Sequence, residues 1–203
     1  MSDNDLPVRI QTMHLVLPKL SVYYPMVVGL RNLAVQQRIN NTILQQVHTL
    51  IREQHYYDYP NTEVTGSYEL KTNERGVLSL SIINYAITQG AAHGLTVVKS
   101  LTFDVQTGRS YQLKDLFKPN SNYVQVLSDI IQQQIKQRDI PLLEPFKGIR
   151  PDQDFYIADK SLVVYFQLYE IAPYVYGLQY FPISVYEIQK IITEDGPLGK
   201  MLY

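Results

Sequence analysis

Five apolar residues spaced four apart, Val35, Ile39, Ile43, Val47 and Ile51, constrain this chain more than any other feature. At 3.6 residues per turn such a spacing draws one stripe along one side of a helix. Leu50 flanks the stripe, while Gln36, Gln37, Arg38, Gln45, Gln46 and Arg52 fall mainly outside it. The spacing predicts a helix from about Leu33 to Gln54, capped by Asn32. A helix with one apolar face has to bury that face, and the flanking sequence offers strands to receive it.

Val8 to Met26 reads as extended, with Ile10, Thr12 and His14 alternating against Gln11, Met13 and Leu15, and with Pro18 and Pro25 as punctuation. Glu63 to Lys71 alternates, Thr72 to Gly76 reads as a turn, and Val77 to Ile87 reads as the second arm of a hairpin. Leu95 to Val105 is a third strand, closed by Gln106-Thr107-Gly108-Arg109. Asn120-Ser121-Asn122 offers caps for a second helix, Tyr123 to Arg138, with Val124, Leu127, Ile131 and Ile135 on its apolar face. Pro141, Pro145 and Pro151 exclude a helix from the next stretch. Phe155 to Ile157 and Leu162 to Leu168 form two strands around the turn Ala158-Asp159-Lys160. Gln179 to Ser184 is a further strand, Val185 to Ile192 a short helix, and Glu194 to Pro197 a loop. Strict βαβ alternation is missing. The expected fold is therefore α+β, with mainly antiparallel sheet, a long amphipathic helix packed on one face, and two small lobes. The lobes are expected at residues 8–90 and 91–195.

Composition narrows the function classes. A chain of 203 residues with 45% hydrophobic content can bury a sizeable core. Its 18 Lys and Arg against 19 Asp and Glu give a net charge of -1, with no basic stripe to neutralise phosphates, so nucleic acid is not an expected partner. Cysteine is absent, which removes disulfides, thiolate nucleophiles and cysteine-bound zinc. The start, Met1-Ser2-Asp3-Asn4-Asp5, is acidic and polar, unlike a secretory signal, and no apolar run reaches the ~20 residues of a membrane span. The expected location is cytoplasmic as written, or extracellular if an N-terminal anchor has been removed.

The catalytic and ligand-binding motifs fail one by one. Four histidines, His14, His48, His55 and His93, lack metal-ligand spacing; His48 and His55 fall two helical turns apart, roughly 10 Å along the axis. Phosphate loops, dinucleotide glycine motifs and a serine elbow are missing. Asp104, Asp115, Asp154, Asp159 and Glu170 are not paired by the sequence, and several sit where Asp caps turns. Gly90-Ala91-Ala92-His93-Gly94 is the most unusual segment. His93 there is either a base held on a loop or a ring that pins the turn through a neighbouring carbonyl. No cofactor and no metal are expected, and the chain does not read as an enzyme.

What remains is aromatic. Tyrosines number 17, and Tyr165, Tyr169, Tyr174, Tyr176, Tyr180, Phe181 and Tyr186 crowd one stretch, with Glu170, Pro173 and Gly177 interleaved. A second group is Tyr56-Tyr57-Asp58-Tyr59. Alternation turns about half such rings inward. The surplus is expected to form a binding surface for protein or sugar, since tyrosine joins a flat apolar face to a polar tip. His93, Tyr169, Glu170, Tyr174 and Tyr176 are the candidate binding residues. A broad neutral aromatic surface also fits a homodimer.

Several motifs carry a family resemblance. Tyr24-Pro25-Met26-Val27-Val28-Gly29-Leu30 and Arg38-Ile39-Asn40-Asn41-Thr42-Ile43 resemble the first of two paired bacterial domains of unknown function. Gly90 to Gly94, Leu101 to Gly108, Leu113 to Phe117, Tyr156 to Asp159 and Tyr169-Glu170-Ile171-Ala172-Pro173-Tyr174-Val175-Tyr176-Gly177 resemble the second. The pair occurs in the extracellular region of the lysozyme-sensing anti-sigma-V factor, and its first domain also accompanies a peptidoglycan deacetylase. The resemblance implies a non-catalytic domain that binds a protein ligand, with lysozyme-like proteins or peptidoglycan fragments as the implied partners. The shared motifs read as turns, caps and tight backbone positions.

Overall fold

A computed structural model describes residues 7–202. The acidic start read above lies outside the described residues. The chain divides into two compact units, Met1–Ser110 and Tyr111–Tyr203.

In the first unit the extended opening is a hairpin, β1 (Arg9–Leu17) and β2 (Leu20–Val28), turned at Pro18 and Lys19. Lys19 takes the turn with φ of 62°. Helix α1 (Leu33–Glu53) follows, then β3 (Thr62–Glu74), β4 (Val77–Thr88) and β5 (Leu95–Asp104). The five strands lie side by side in chain order. All neighbours are antiparallel except β2 and β3, which run parallel from Leu20 to Val22 on the first strand. A parallel neighbour requires a crossover, and α1 is that crossover. Strand β5 pairs with β4 from Leu95 to Asp104, so it belongs to the first unit rather than opening a lobe at residue 91.

The predicted stripe of α1 is its buried face: Val35, Ile39, Ile43, Val47, Leu50 and Ile51. They pack with Leu20, Val22, Val27, Val64, Leu78, Leu80, Ile82 and Phe103 from the strands. Asn32 caps the helix by accepting from Ala34 N at 3.1 Å and Val35 N at 3.2 Å. Beyond Val22 the strand β2 no longer pairs with β3, and Asn40 of the helix takes over. Its Oδ1 accepts from Val27 N at 2.8 Å, and its Nδ2 donates to Val27 O at 2.9 Å.

In the second unit α2 (Tyr123–Gln137) lies beside a three-stranded antiparallel sheet of β6 (Phe155–Ala158), β7 (Ser161–Phe166) and β8 (Gln179–Ser184). Polar side chains of α2 serve carbonyls of β8: Gln134 Nε2 donates to Pro182 O at 2.8 Å, and Arg138 Nη1 to Tyr180 O at 2.7 Å. The expected short helix over Val185 to Ile192 does not form. Val185, Ile188 and Ile192 are buried, but the backbone bonds elsewhere. Lys118 N donates to Ile191 O at 2.8 Å and Thr193 N to Leu116 O at 3.0 Å, so a strand-like bridge replaces the helical bonds. The expected tail loop instead leads into a single helical turn, α3 (Pro197–Lys200), with proline at its start, where a missing N–H costs nothing. No described helix is long and apolar enough to cross a membrane.

Ile43 is fully enclosed, so Ile43→Ala is expected to destabilise the first unit by about 2–5 kcal/mol through lost burial and a residual cavity. Urea unfolding checks this, and a loss under about 1 kcal/mol contradicts the packing described.

Candidate functional site

Strand β7 ends at Phe166 and β8 begins at Gln179, so residues 167–178 form a long hairpin loop. Its base is fastened by one carboxylate. Glu170 Oε2 accepts from the backbone N–H of Gln167 at 2.7 Å, and its Oε1 accepts from Gln153 Nε2 at 3.0 Å. Arg150 Nη1 donates to the same Oε1. Gln153 is buried and also donates to Tyr165 O at 3.0 Å, while Gln167 Nε2 donates to Asp154 Oδ2 at 2.9 Å. Burial works against the charge of Arg150. The hydrogen bond to Glu170 and the carboxylates of Glu170, Asp152 and Asp154 outweigh it and hold the guanidinium above its ordinary pKa. Charge-assisted bonds of this kind are among the stronger ones in proteins.

From this base the loop rises. Tyr169 has a φ of 65°, unusual for a residue with a side chain. Ala172 is buried, and Pro173 then starts one tight helical turn over Tyr174–Tyr176. Gly177 ends that turn at φ of 70° and ψ of -166°, a conformation that strongly favours glycine. Gln179 Nε2 closes it by donating to Tyr176 O at 2.7 Å. A tight turn bracketed by proline and glycine pushes its middle side chains outward. Val175 is 82% exposed, Tyr176 55% and Tyr169 49%. Tyr174 is half-buried, its ring 5.5 Å from that of Tyr169. Leu143 N donates to Ile171 O at 2.9 Å, which brings a second exposed apolar side chain to the same place. A shallow cavity of about 290 Å³ lies between the two segments, lined by Leu143, Phe146, Lys147, Tyr169 and Glu170 among others.

The remaining aromatics of the stretch lie apart from this loop. Tyr165 and Phe181 are fully buried, and Tyr165 lies 5.9 Å from Tyr156 and 5.6 Å from Tyr180. These rings belong to the sheet. Tyr186 is exposed and accepts from Lys160 Nζ at 2.8 Å.

Tyr169, Glu170, Tyr174 and Tyr176 therefore come together on one loop of the second unit. His93 belongs to the first unit, on the exposed turn between β4 and β5, with Nδ1 3.0 Å from Gly94 O. Gly94 itself lies under the ring of Tyr85, where an added Cβ would meet ring atoms at 2.3 Å. Sequence reasoning missed Val175, Leu143, Arg150 and Gln153. The Pro173 to Gly177 spacing signals the outward turn and hence Val175; no local signal points to Arg150 or Gln153. Asp104 Oδ1 accepts from the backbone of Gln106 and Thr107, and Asp115 Oδ2 from Gln112 N, so these carboxylates fasten turns. Among the described residues no three His, Cys, Asp or Glu side chains group as a metal site.

Fold and site together define an α+β protein of two successive units, the second presenting a fastened aromatic loop. Comparison with known proteins assigns the units. Residues 16–96 match the family model described as "Deacetylase PdaC", and residues 114–186 the model described as "Protein of unknown function (DUF3298)". Each unit thus matches a family model of its own, one following the other along the chain. The chain is 31% identical over 192 residues to the anti-sigma-V factor RsiV of Bacillus subtilis strain 168, covering 87% of this chain and 66% of that protein. The chain thus spans just under two thirds of the curated relative's length. A crystal structure of a DUF3298 family member from Bacteroides fragilis NCTC 9343 superimposes with a TM-score of 0.74 at 13% identity, covering 97% of this chain and 98% of that one. Another, from Pseudomonas aeruginosa PAO1, gives 0.64 at 13% identity, covering 94% and 96%. At such identity these two structures establish the fold alone.

Replacing Glu170 by alanine strips Gln167 N–H, Gln153 and Arg150 of their shared acceptor. Amide exchange across residues 167–177 is expected to accelerate at least tenfold while β7 and β8 keep their protection. Unchanged exchange in the loop contradicts the fastening role.

Proposed function

We propose that this chain is a non-catalytic binding module that takes a protein partner on the loop of Tyr169, Tyr174, Val175 and Tyr176. One observation carries the reading: large apolar side chains stand exposed on a loop whose base is already fastened by part-buried hydrogen bonds to Glu170. Preorganisation of that kind spares the ordering cost of binding, and tyrosine is enriched among interface hot spots. The likeness to an anti-sigma factor, and the resemblance of the motifs to a lysozyme-sensing ectodomain, support a protein ligand and make lysozyme the first partner to test. The match of the first unit to a model described as a deacetylase fits an accessory domain, with Asp104 bonded to the backbone of its own turn and His93 to the carbonyl of Gly94.

A second reading, binding of peptidoglycan fragments by ring stacking, needs polar groups free to meet sugar hydroxyls beside the rings. Glu170 and Asp154 are committed instead to Arg150, Gln153 and Gln167. The protein reading is the better supported.

Tyr176→Ala is expected to weaken lysozyme binding at least tenfold, equivalent to about 1.4 kcal/mol, while shifting unfolding stability by less than about 0.5 kcal/mol because the ring is largely exposed. Tyr174→Ala, with a half-buried ring, is expected to lose affinity and some stability together. Calorimetric titration with lysozyme and with muropeptides in parallel decides the matter. Saturable binding to muropeptides alone sinks the protein reading, and unaltered lysozyme affinity in both variants sinks the assignment of the loop.

A further inference from the structure

The junction between the end of α1 and the middle of the sheet contains polar groups that the fold does not satisfy. Gln54, the residue capping α1, is 8% exposed, and Asn84 of β4 is fully buried. Gln54 Nε2 donates to two backbone carbonyls, Asn84 O and Leu95 O, each at 3.2 Å. That double bond to the sheet fixes the orientation of the Gln54 amide and so the direction of its Oε1. Among the described residues four buried side-chain atoms lack a hydrogen-bonding partner: Gln54 Oε1, Asn84 Nδ2, Asn84 Oδ1 and Ser121 Oγ. Three of the four belong to this one contacting pair. Gly66 lies against the Asn84 amide. A Cβ on Gly66 would stand 2.4 Å from Asn84 Oδ1 and 2.7 Å from Val22 Cγ1, so the glycine makes the space in which the amide lies.

We infer that this junction is an internal hydration site, in which a water molecule bridges Gln54 Oε1 and the side-chain amide of Asn84. Buried polar groups left unpaired are costly, and native cores pair them with protein or with ordered water. A buried water needs two to four polar partners. The pair supplies two acceptors, Gln54 Oε1 and Asn84 Oδ1, and one donor, Asn84 Nδ2. The bridge completes a link from the last turn of α1 to β4 and, through Leu95 O, to the first residue of β5. The site thereby holds the helix end down on the strands whose connecting turn carries His93.

A high-resolution crystal structure of the full chain tests this directly. The expected result is a water within hydrogen-bonding distance of both side chains. A direct bond from Asn84 Nδ2 to Gln54 Oε1 with no water between them overturns the inference. Asn84→Leu gives an independent readout, because leucine matches the volume without the amide. With a bridging water the variant strands Gln54 Oε1, and Tm is expected to fall by about 2 °C or more. A Tm that holds or rises shows a dry junction and overturns it too.

Discussion

Burial of one face of α1 is the contact on which the first unit depends. The helix carries the chain from β2 to β3, and parallel neighbours can be joined only by such a crossover. Because β2 and β3 pair over just Leu20 to Val22, the sheet alone does not hold its first hairpin. The stripe from Val35 to Ile51 supplies the missing cohesion, and Asn40 supplies the missing hydrogen bonds to Val27. One helix is thus core, crossover and surrogate strand. Burying its apolar face stabilises the unit by the transfer of each aliphatic side chain from water, about 1.5–3 kcal/mol apiece before entropy is counted.

The second unit solves a different problem: how to expose apolar side chains without letting the segment that bears them collapse or wander. A loop between hairpin strands ordinarily has few bonds of its own. Here Glu170 reaches back to Gln167 N–H, to the buried amide of Gln153 and to Arg150, anchoring the loop near its start. Gly177 and Gln179 close its far end. Between these anchors Val175 and Tyr176 stand exposed. The same glutamate that looks like a ligand group in the sequence therefore works as a positioning residue.

Periodic features were legible in the sequence and long-range ones were not. The four-residue spacing located α1 and alternation located β3, because both patterns record a single buried face; β4 and β7, enclosed along most of their length, were placed by the turns that bound them. The hairpin at Pro18 and Lys19 was not resolved within the extended reading, since Lys19 adopts a turn conformation that its residue type does not signal. Val185, Ile188 and Ile192 do carry a helical spacing, yet Leu116 and Lys118 capture the backbone there. Within the tyrosine cluster, the end of β7 at Phe166 rather than alternation separates Tyr165 from the exposed Tyr169 and Tyr176. The union of Arg150 and Gln153 with Glu170 spans 20 and 17 positions across a strand pair, and no local pattern announces it. Of the five candidate binding residues, four share the loop, while His93 lies in the other unit.

The most direct test of a protein-binding role is hydrogen exchange of the chain alone and with saturating lysozyme. The account predicts saturable binding with slowed exchange concentrated at residues 169–177 and in the adjoining segment around Leu143. Absence of binding, or protection confined to the first unit with the loop unchanged, would contradict it.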